Sequence, residues 1–478
     1  MFTISSSIIK KVTFSICICA IFNIVNGSHA DVRIAQAGQV SALRQEAVQL
    51  SEYDASTVLV QFKPGLSDTN RDQLLANFDG ALVRKFSILP GLAEVTVGTS
   101  VGDALSTLRA SNAVISAEPN YRLHVADVPN DPGYSKQWAL DSDTAIHIDA
   151  RRAWGLRKGL HSLKIAVLDT GIDKTHPEFG DNIWRNPREI AGDGIDNDAN
   201  GYIDDTNGWD FTYTAPGLMR SNGDNDPADG HGHGTHVAGI IAAQGNNEVG
   251  VTGVCWDAGI VPLKVVGDDG TGLTSWLIAA IEYSVRNGIP IASASIGGAK
   301  YSGFCMAAIA NAGVQGNLLL VAAAGNNGTD NDVTPFYPAS YDLPNIVSVA
   351  GTTSSGTMSS FSNRGLLSVD IAAPGSSIIS TYPQSKIASG YATLSGTSMA
   401  APMVTGVATL LHENRPEWGF AEIKEALLTS VTPLSGLSGT VASGGLVNAY
   451  QVMMLSNKVE LVGLRLGKPV LRGGDPLT

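Results

Sequence analysis

The pattern of hydrophobic and polar positions changes along the chain. Between residues 56 and 125, STVLVQFK alternates as a strand, and DTNRDQLLANF then places Leu74, Leu75 and Phe78 at helical spacing. A strand pair across a Pro-Gly turn, a helix around GDALSTLRAS and a strand near VISAEPNYRLHV follow. This β-α-β-β-α-β order predicts a small α+β unit of the ferredoxin-like type.

From residue 131 onward, short apolar segments alternate with helical ones. IAVLD, IVPLKVV, PIASASIGG, LLLVAAAG and IVSVAG are apolar without alternation, and helical stretches such as SWLIAAIEYSVRNG separate them. Strands of this kind are typical of a parallel sheet that helices bury on both faces, which predicts an α/β domain. Ligands bind such sheets at the carboxyl ends of the strands, so polar residues placed there are candidates for chemistry.

The two ends of the sequence carry separate patterns. A pair of lysines precedes an apolar stretch over residues 12–25, and a Ser-His-Ala sequence ending at residue 30 offers small residues for cleavage. This pattern predicts an export signal. We expect the following organisation: an export signal over 1–30, a flexible leader over 31–55, a folded unit over 56–125, a large domain over 126–455 and a short tail over 456–478.

Length and charge restrict the partners that the protein can have. The 478 residues, 44% of them hydrophobic, suffice for two or three domains with a large core. A formal net charge of −13 argues against a nucleic-acid partner. Its concentration in residues 193–229 points to local cation binding. No segment is long and apolar enough for a membrane helix, so we expect an exported protein without a membrane partner.

Three short blocks carry residues suited to nucleophilic catalysis. Asp169 lies in KIAVLDTGID, His233 in DGHGHGTHVAG and Ser398 in LSGTSMAAP. A serine hydroxyl becomes a good nucleophile when a histidine accepts its proton and a carboxylate orients that histidine. Each block alone allows a plainer interpretation: Asp169 could open a turn, His233 could bind a metal with neighbouring histidines, and Ser398 could cap a helix. Together they predict a catalytic triad.

In this chain order the three blocks resemble those of the subtilisin-like serine proteases, and the resemblance covers roughly residues 130–455. It implies that Ser398 attacks the substrate, His233 transfers the proton and Asp169 orients His233. Asn326, in LLLVAAAGNNG, would donate its side-chain amide to the oxyanion, with the Ser398 N–H as second donor. An Asn at this place is also a common turn residue, and both roles are compatible.

The resemblance extends to the unit over residues 56–125, which is similar to the propeptides of this family. Such a unit would inhibit the protease and assist the folding of its slow, mostly parallel sheet. Its release would need cleavage near residues 121–130. A permanent binding domain is the alternative.

The family likeness also implies a substrate groove. One edge, in DDGTGLTSW, would pair with an extended substrate as an added strand. Small residues would line a roomy primary pocket, so we expect broad cleavage after medium or large apolar residues. The implied groove residues are Gly270, Thr271 and Gly272 on one edge, Ser295, Ile296 and Gly297 on the other, and Ala323 and Gly325 at the pocket.

The acidic stretch GDGIDNDANGYIDDTNGWDF has the spacing of a calcium loop. The matching residues are Asp196, Asp198, Asn200, Gly201, the carbonyl of Tyr202, and Asp204. Asn207 stands where an EF-hand has a bidentate Glu, so Asp193 or Asp205 would complete the shell. A solvated acidic loop is the alternative.

A second calcium site is implied by resemblance alone, around QGNNEVGVTG. Its ligands would be Asn247, the carbonyls of Gly245, Val249 and Val251, and the acids Asp131 and Glu178. An exported pair of cysteines could form a disulfide. The family fold would place Cys255 and Cys305 at opposite ends of the sheet, so we expect two unpaired, mostly buried thiols.

Taken together, these features predict a secreted, self-processed, calcium-stabilised endopeptidase that is a monomer and acts on proteins or peptides, with its own propeptide as inhibitor. A selective processing protease is one alternative. A catalytically silent relative that only binds partners is the other.

Overall fold

The computed structural model describes residues 53–121, 128–212 and 223–462, with side chains up to residue 456. The chain divides into two compact units, residues 1–122 and 123–478. The predicted export signal, most of the leader and most of the tail lie outside the described residues. Across the described part of the chain, the helices are too short or too polar to cross a bilayer.

The first unit has the predicted element order around a four-stranded antiparallel sheet, β2-β3-β1-β4. Its first strand begins at Tyr53, three residues before the unit that the sequence pattern indicated. Both helices begin at a serine, Ser67 or Ser100, whose side chain accepts a backbone N–H of the first turn. The elements are β1 Tyr53–Phe62, α1 Asp68–Ala76, β2 Leu82–Lys85, β3 Leu92–Thr96, α2 Val101–Ala110 and β4 Val114–Tyr121.

The second unit is built on a nine-stranded sheet of order β14-β15-β11-β10-β9-β8-β5-β7-β6. All neighbouring strands in it are parallel except β14 and β15. Its strands are β5 Gly159–Asp169, β6 Trp209–Asp210, β7 Asp257–Lys264, β8 Ile291–Ala294, β9 Leu319–Ala323, β10 Ile346–Thr352, β11 Ile371–Pro374, β14 Thr432–Pro433 and β15 Gly445–Leu446. A separate antiparallel pair consists of β12 Ile378–Thr381 and β13 Tyr391–Leu394.

Helices bury both faces of this sheet. Strand β5 illustrates the arrangement, because Ile165 and Val167 belong to one core while Ala166 and Leu168 belong to the other. The prediction of a mostly parallel sheet flanked by helices is therefore confirmed. The helices are α3 Ala150–Trp154, α4 His233–Ala242, α5 Thr274–Arg286, α6 Gly303–Gly316, α7 Thr397–Asn414, α8 Phe420–Thr429 and α9 Ala449–Val462.

Two details of the second unit bear on the sequence predictions. Cys255 and Cys305 are free and buried, as expected, and lie in cores on opposite faces of the sheet. Helix α9 continues to Val462, beyond the expected domain end at residue 455. Its buried residues Tyr450, Met453 and Met454 belong to the core around α7, which favours continuing the helix past that boundary.

Candidate active site

Asp169 and His233 meet at the carboxyl end of the parallel sheet. Asp169 is the last residue of β5 and is buried, and His233 is the first residue of α4. Nδ1 of His233 lies 2.7 Å from Oδ1 of Asp169, which also accepts the Thr170 N–H at 2.8 Å. A carboxylate in this position holds the imidazole in one orientation and leaves its Nε2 for another partner.

The protonation of His233 reflects two opposing influences. Burial disfavours the charged imidazolium and lowers the pKa, but the charge and hydrogen bond of Asp169, and the charge of Asp229, raise it by more. The net result is a pKa above the ordinary histidine value. The site therefore stabilises the imidazolium that forms when His233 accepts a proton.

Ser398 lies in the first turn of α7, next to Ser295. Its Oγ donates to the Ser295 carbonyl at 3.2 Å, and the Ser295 Oγ donates to the Ser398 carbonyl at 2.9 Å. Among the described residues, no hydrogen bond joins Ser398 Oγ to His233. Catalytic hydrogen bonds are often formed only when substrate is bound, so the hydroxyl must turn from Ser295 to reach the histidine.

Asn326 follows β9 and is held by Thr397, the residue before Ser398. The Asn326 Oδ1 accepts the Thr397 N–H at 2.8 Å and the Thr397 hydroxyl at 3.0 Å. With its oxygen bound in this way, the exposed side chain keeps its amide N–H groups for another acceptor. This arrangement suits an oxyanion donor beside the serine.

Asp229 is a functional candidate that the sequence interpretation missed. Its buried carboxylate accepts the N–H groups of His231, Gly232 and Thr235, at 3.0, 2.7 and 2.9 Å. It also accepts the hydroxyls of Thr170 and Thr235, at 2.8 and 2.6 Å.

This carboxylate therefore ties the residue after Asp169 to the loop on both sides of His233. It also provides a negative group at the N-terminus of α4, where helices favour one. An acidic residue that opens a glycine-rich loop before a helix was the available signal.

Lys264 donates hydrogen bonds to the same two loops. It ends β7 beside Asp169, and its buried ammonium donates to the carbonyls of Thr170 and Ala228, at 2.8 and 3.1 Å. The segments that carry the acid and the base are thus joined twice, through Asp229 and through Lys264.

A cleft of about 470 Å³ begins at the Asp169–His233 pair. Five of the predicted groove residues line it: Gly270, Gly272, Ser295, Ile296 and Gly297. The segment with Gly270 to Gly272 is held by an antiparallel bridge between Val266 and Gly272. The structure therefore places both expected edges along one cleft that also holds the acid–base pair.

A further aromatic side chain lies beside two of the residues that were expected to form the substrate groove and its primary pocket. An aromatic ring, that of Phe336, contacts both Gly297 and Gly325: a Cβ added at either glycine would lie 2.4 or 3.0 Å from a ring carbon. Phe336 lies thirteen positions after Ala323, in a segment without periodicity, so the sequence pattern gave no indication of this contact.

The acidic insertion gathers a different set of carboxylates from the predicted calcium loop. Carboxylate oxygens of Glu189, Asp198 and Asp205 lie within 4.8 Å of one another. Asp198 was a predicted ligand and Asp205 was one of two candidates to complete the shell, so only Glu189 was not expected. Asp196 instead accepts the N–H groups of Asn200 and Gly201.

The other predicted loop residues are also bound within the protein. Asp204 accepts backbone N–H groups at Gly192 and Gly194, and the Tyr202 N–H donates to Asn200. Positive φ angles at Ala199, Gly201 and Asp204 curl the loop. That curl turns the carboxylates of Asp196 and Asp204 towards backbone donors, whereas an EF-hand directs them to a common centre.

Residues of the second predicted calcium site do lie close together. Glu178 is buried and accepts the Val251 N–H, the Tyr391 hydroxyl and the Asn247 amide, and burial raises the pKa of Glu178 to about 7. Asp131 accepts the N–H groups of Asn246 and Asn247. Val251 thus offers its N–H to Glu178, where the expectation used its carbonyl. Gly245 and Val249 lie in the same loop.

Comparison with known proteins gives consistent matches. Residues 161–450 match the model of the subtilase family. Thermitase of Thermoactinomyces vulgaris is 36% identical over 326 residues, covering 68% of this chain and 99% of its own. An extracellular protease of Xanthomonas campestris is 32% identical over 416 residues, covering 83% of this chain and 69% of its own. The solved structure of a protease from Pseudoalteromonas arctica covers 69% of this chain and all of its own, with a TM-score of 0.56 and 28% identity.

The fold and these likenesses define a serine endopeptidase built on a mostly parallel sheet. The family match is specific: the chain belongs to the subtilase family, and its substrates are peptide bonds.

Proposed function

We propose that this protein is a secreted endopeptidase that cleaves through an acyl-enzyme, with Ser398 as nucleophile, His233 as general acid and base, and Asp169 as the group that orients His233. The observation that carries the proposal is the 2.7 Å contact between Asp169 and His233 at the carboxyl edge of the sheet. A buried carboxylate bonded to Nδ1 is what a proton-transferring histidine requires.

The first half of the reaction forms the acyl-enzyme. The Ser398 hydroxyl turns from the Ser295 carbonyl to Nε2 of His233, gives up its proton and bonds to the substrate carbonyl carbon. The carbonyl oxygen becomes an oxyanion that accepts hydrogen bonds from the Asn326 amide and the Ser398 N–H. His233 then donates its proton to the leaving amine as the peptide bond breaks.

The second half repeats this sequence with water. His233 removes a proton from a water molecule, whose oxygen attacks the ester carbonyl. When the ester bond breaks, the proton returns to Ser398 Oγ and the acid product leaves. Asp169 remains ionised throughout and stabilises each imidazolium.

Secretion and self-processing are part of the proposal. The export pattern over residues 1–30 and the likeness to an extracellular protease support secretion. The separate ferredoxin-like unit just before the protease unit supports a propeptide that inhibits until cleaved near residues 121–130. We further propose a monomer with broad specificity for apolar residues before the scissile bond.

Calcium as a structural ion is also proposed, at two places. The cluster of Glu189, Asp198 and Asp205 fits a hard cation, because crowded carboxylates repel unless a positive charge neutralises them. Asp131 and Glu178 offer buried carboxylates beside Asn247, and burial raises the pKa of both acids. A bound calcium ion would supply the compensating charge and tie these loops together.

Replacement of the nucleophile tests the catalytic proposal. Ser398→Ala should abolish casein hydrolysis and leave the propeptide attached, whereas the matched control Ser395→Ala should do neither. Ser395 precedes the same helix and its hydroxyl accepts the Ser377 N–H, away from the reacting atoms. Hydrolysis retained in Ser398→Ala would overturn the assignment.

Two measurements address the alternatives. A fluorophosphonate probe should label the processed wild-type chain at Ser398, and an unlabelled processed chain would favour a silent relative. Cleavage of a peptide library should show many accepted sequences, and a single strongly preferred sequence would favour a selective processing enzyme.

A further inference from the structure

Phe336 occupies the space between the two segments that flank the primary pocket. A Cβ added at Gly297 would lie 2.4 Å from ring carbon Cε1 of Phe336, and one added at Gly325 would lie 3.0 Å from Cδ1. Both glycines therefore lie against neighbouring carbons of the same ring. The two segments are the carboxyl-terminal extensions of β8 and β9, which are neighbours in the sheet.

This space lies directly beside the nucleophile. One segment begins at Ser295, which exchanges two hydrogen bonds with Ser398. The other leads into Asn326, and its Gly325 N–H donates to Thr397 at 3.2 Å. A substrate residue whose carbonyl carbon approaches Ser398 Oγ would place its side chain beside these two segments, and the ring of Phe336 lies against both of them.

The ring is held in place by its own backbone surroundings. The Phe336 N–H donates to the Ser340 hydroxyl at 3.0 Å, and the Phe336 carbonyl accepts the Ser340 N–H at 2.9 Å. The next residue, Tyr337, exchanges two hydrogen bonds of 2.8 Å with Gly298. Because the backbone is fixed on both sides, the aromatic ring has little freedom to leave the pocket.

We propose that Phe336 is the residue that limits the size of the primary pocket, so that the enzyme cleaves after small side chains in preference to large ones. This inference rests on the proposed role of Ser398 and narrows the substrate class. The apolar ring surface favours an apolar partner such as alanine. A phenylalanine or leucine side chain would have to occupy the volume that Phe336 fills.

The size of the expected effect follows from the chemistry of apolar pockets. Adding or removing a single methylene there changes selectivity on the order of 10- to 200-fold. Replacing a benzyl group by a methyl group frees more than that volume. We therefore expect Phe336→Ala to shift the ratio of kcat/KM for phenylalanine over alanine substrates by on the order of 100-fold towards phenylalanine.

The test uses the mature, processed enzyme and peptide anilides that differ only in the residue before the scissile bond: alanine, leucine or phenylalanine. Wild type should prefer alanine, and Phe336→Ala should prefer leucine and phenylalanine. The matched control is Val333→Ala in the same loop, because the Val333 side chain is apolar and 79% exposed. This control should keep the wild-type ratio.

Each outcome decides the proposal. A wild-type enzyme that cleaves after phenylalanine as well as after alanine overturns it, as does an unchanged ratio in Phe336→Ala. If that variant fails to fold, Phe336→Leu and the wild-type profile decide instead. The Ser398→Ala variant distinguishes failure of the catalytic proposal from failure of the specificity proposal. Hydrolysis that survives in Ser398→Ala contradicts the catalytic role of Ser398. If Ser398→Ala is inactive but Phe336→Ala keeps the wild-type substrate ratio, only the role of Phe336 is contradicted.

Discussion

Ser295 and Ser398 are joined by a reciprocal pair of hydrogen bonds, each hydroxyl donating to the other residue's carbonyl. One bond holds the proposed nucleophile in its resting position, and the other holds the backbone of the helix that carries it. The predicted edge of the substrate groove and the proposed nucleophile are therefore held together as one hydrogen-bonded unit.

Removal of the Ser295 hydroxyl should loosen that unit. Ser295→Ala deletes the bond to the Ser398 carbonyl and leaves the resting bond of the nucleophile intact. A hydrogen bond of this kind contributes about 1 kcal/mol, so kcat/KM should fall about fivefold. Steady-state kinetics measure this. Thr405→Val removes a comparable buried hydroxyl from the same helix and should lower stability only; equal kinetics in both variants would contradict the prediction.

Loss of the charge on Asp229 should change both the rate and the pH dependence. Asp229→Asn keeps the shape but places an amide where several N–H and hydroxyl donors converge. We expect kcat to fall by more than tenfold. Because the Asp229 charge raises the pKa of His233, the acid limb of the kcat/KM profile should move to lower pH.

Other titratable groups near His233 also influence its pKa and must be considered in this prediction. Asp169, His231 and His236 face it as well, and they are unchanged in the variant. Thr170→Val should reproduce part of the rate loss without the pH shift, and Thr170→Ser should restore the rate. Asp332→Asn, which removes a carboxylate that holds a distant loop, is the control. A folded Asp229→Asn enzyme with an unaltered profile would show that the residue is only structural.

Asn326 should act on turnover and not on substrate binding. Asn326→Leu has similar size and lacks the donor, so kcat should fall on the order of 10²–10³-fold while KM changes little. Adding Asn326→Leu to the Ser398→Ala variant should cost far less than Asn326→Leu costs the wild type, because the donor stabilises the intermediate that the serine forms. A drop confined to KM would argue that Asn326 shapes the pocket.

The buried histidine beside the triad should make stability fall in acid. Burial lowers the pKa of His236 to about 4, so the unfolded chain, with a pKa near 6.5, binds the proton first as pH falls. This contribution is complete above about pH 6.5 and decreases towards pH 4, by up to about 3 kcal/mol. Urea unfolding of the inactive Ser398→Ala protein measures it without self-digestion. His236→Gln should flatten the slope between pH 6.5 and 4; an unchanged slope would assign it to other groups.

Calcium should raise the melting temperature of the same inactive protein, because an ion that binds only the folded state stabilises it by mass action. At a hundredfold excess over Kd the gain is about 2.7 kcal/mol. Asp198→Asn at the first site and Glu178→Gln at the second should each reduce the calcium-dependent rise in melting temperature. The control variant Asp332→Asn should keep it. Identical melting with calcium and with chelator would exclude both sites.

The sequence predicted those features that depend on local pattern or on a run of adjacent residues. The alternating and apolar segments indicated both folds, and the residues around Asp169, His233 and Ser398 indicated the site. The calcium loop, predicted from spacing alone, overlaps only in part with the carboxylates that converge, because positive φ angles at Ala199 and Asp204 curl the loop.

Phe336 and Asp229 show a second limit of the sequence. Phe336 lies beside Gly297 where the next residue, Tyr337, bonds to Gly298, some forty residues away in the chain. Asp229 acts through hydrogen bonds to Thr170, which is separated from it by 59 positions. No local sequence pattern marks either contact, because each joins residues that are far apart in the chain and meet only in the folded protein.

The proposed catalytic residues lie far apart in the sequence, and this spacing determines the stage of folding at which the protein can begin to cleave peptide bonds. His233 is 64 positions from Asp169, and Ser398 follows only after β7, β8, β9, β10 and β11 have been made. The proposed site is therefore complete only when β5, α4 and α7 have packed together. A chain in which part of this unit is still unfolded lacks the complete site and is expected to be inactive as a protease.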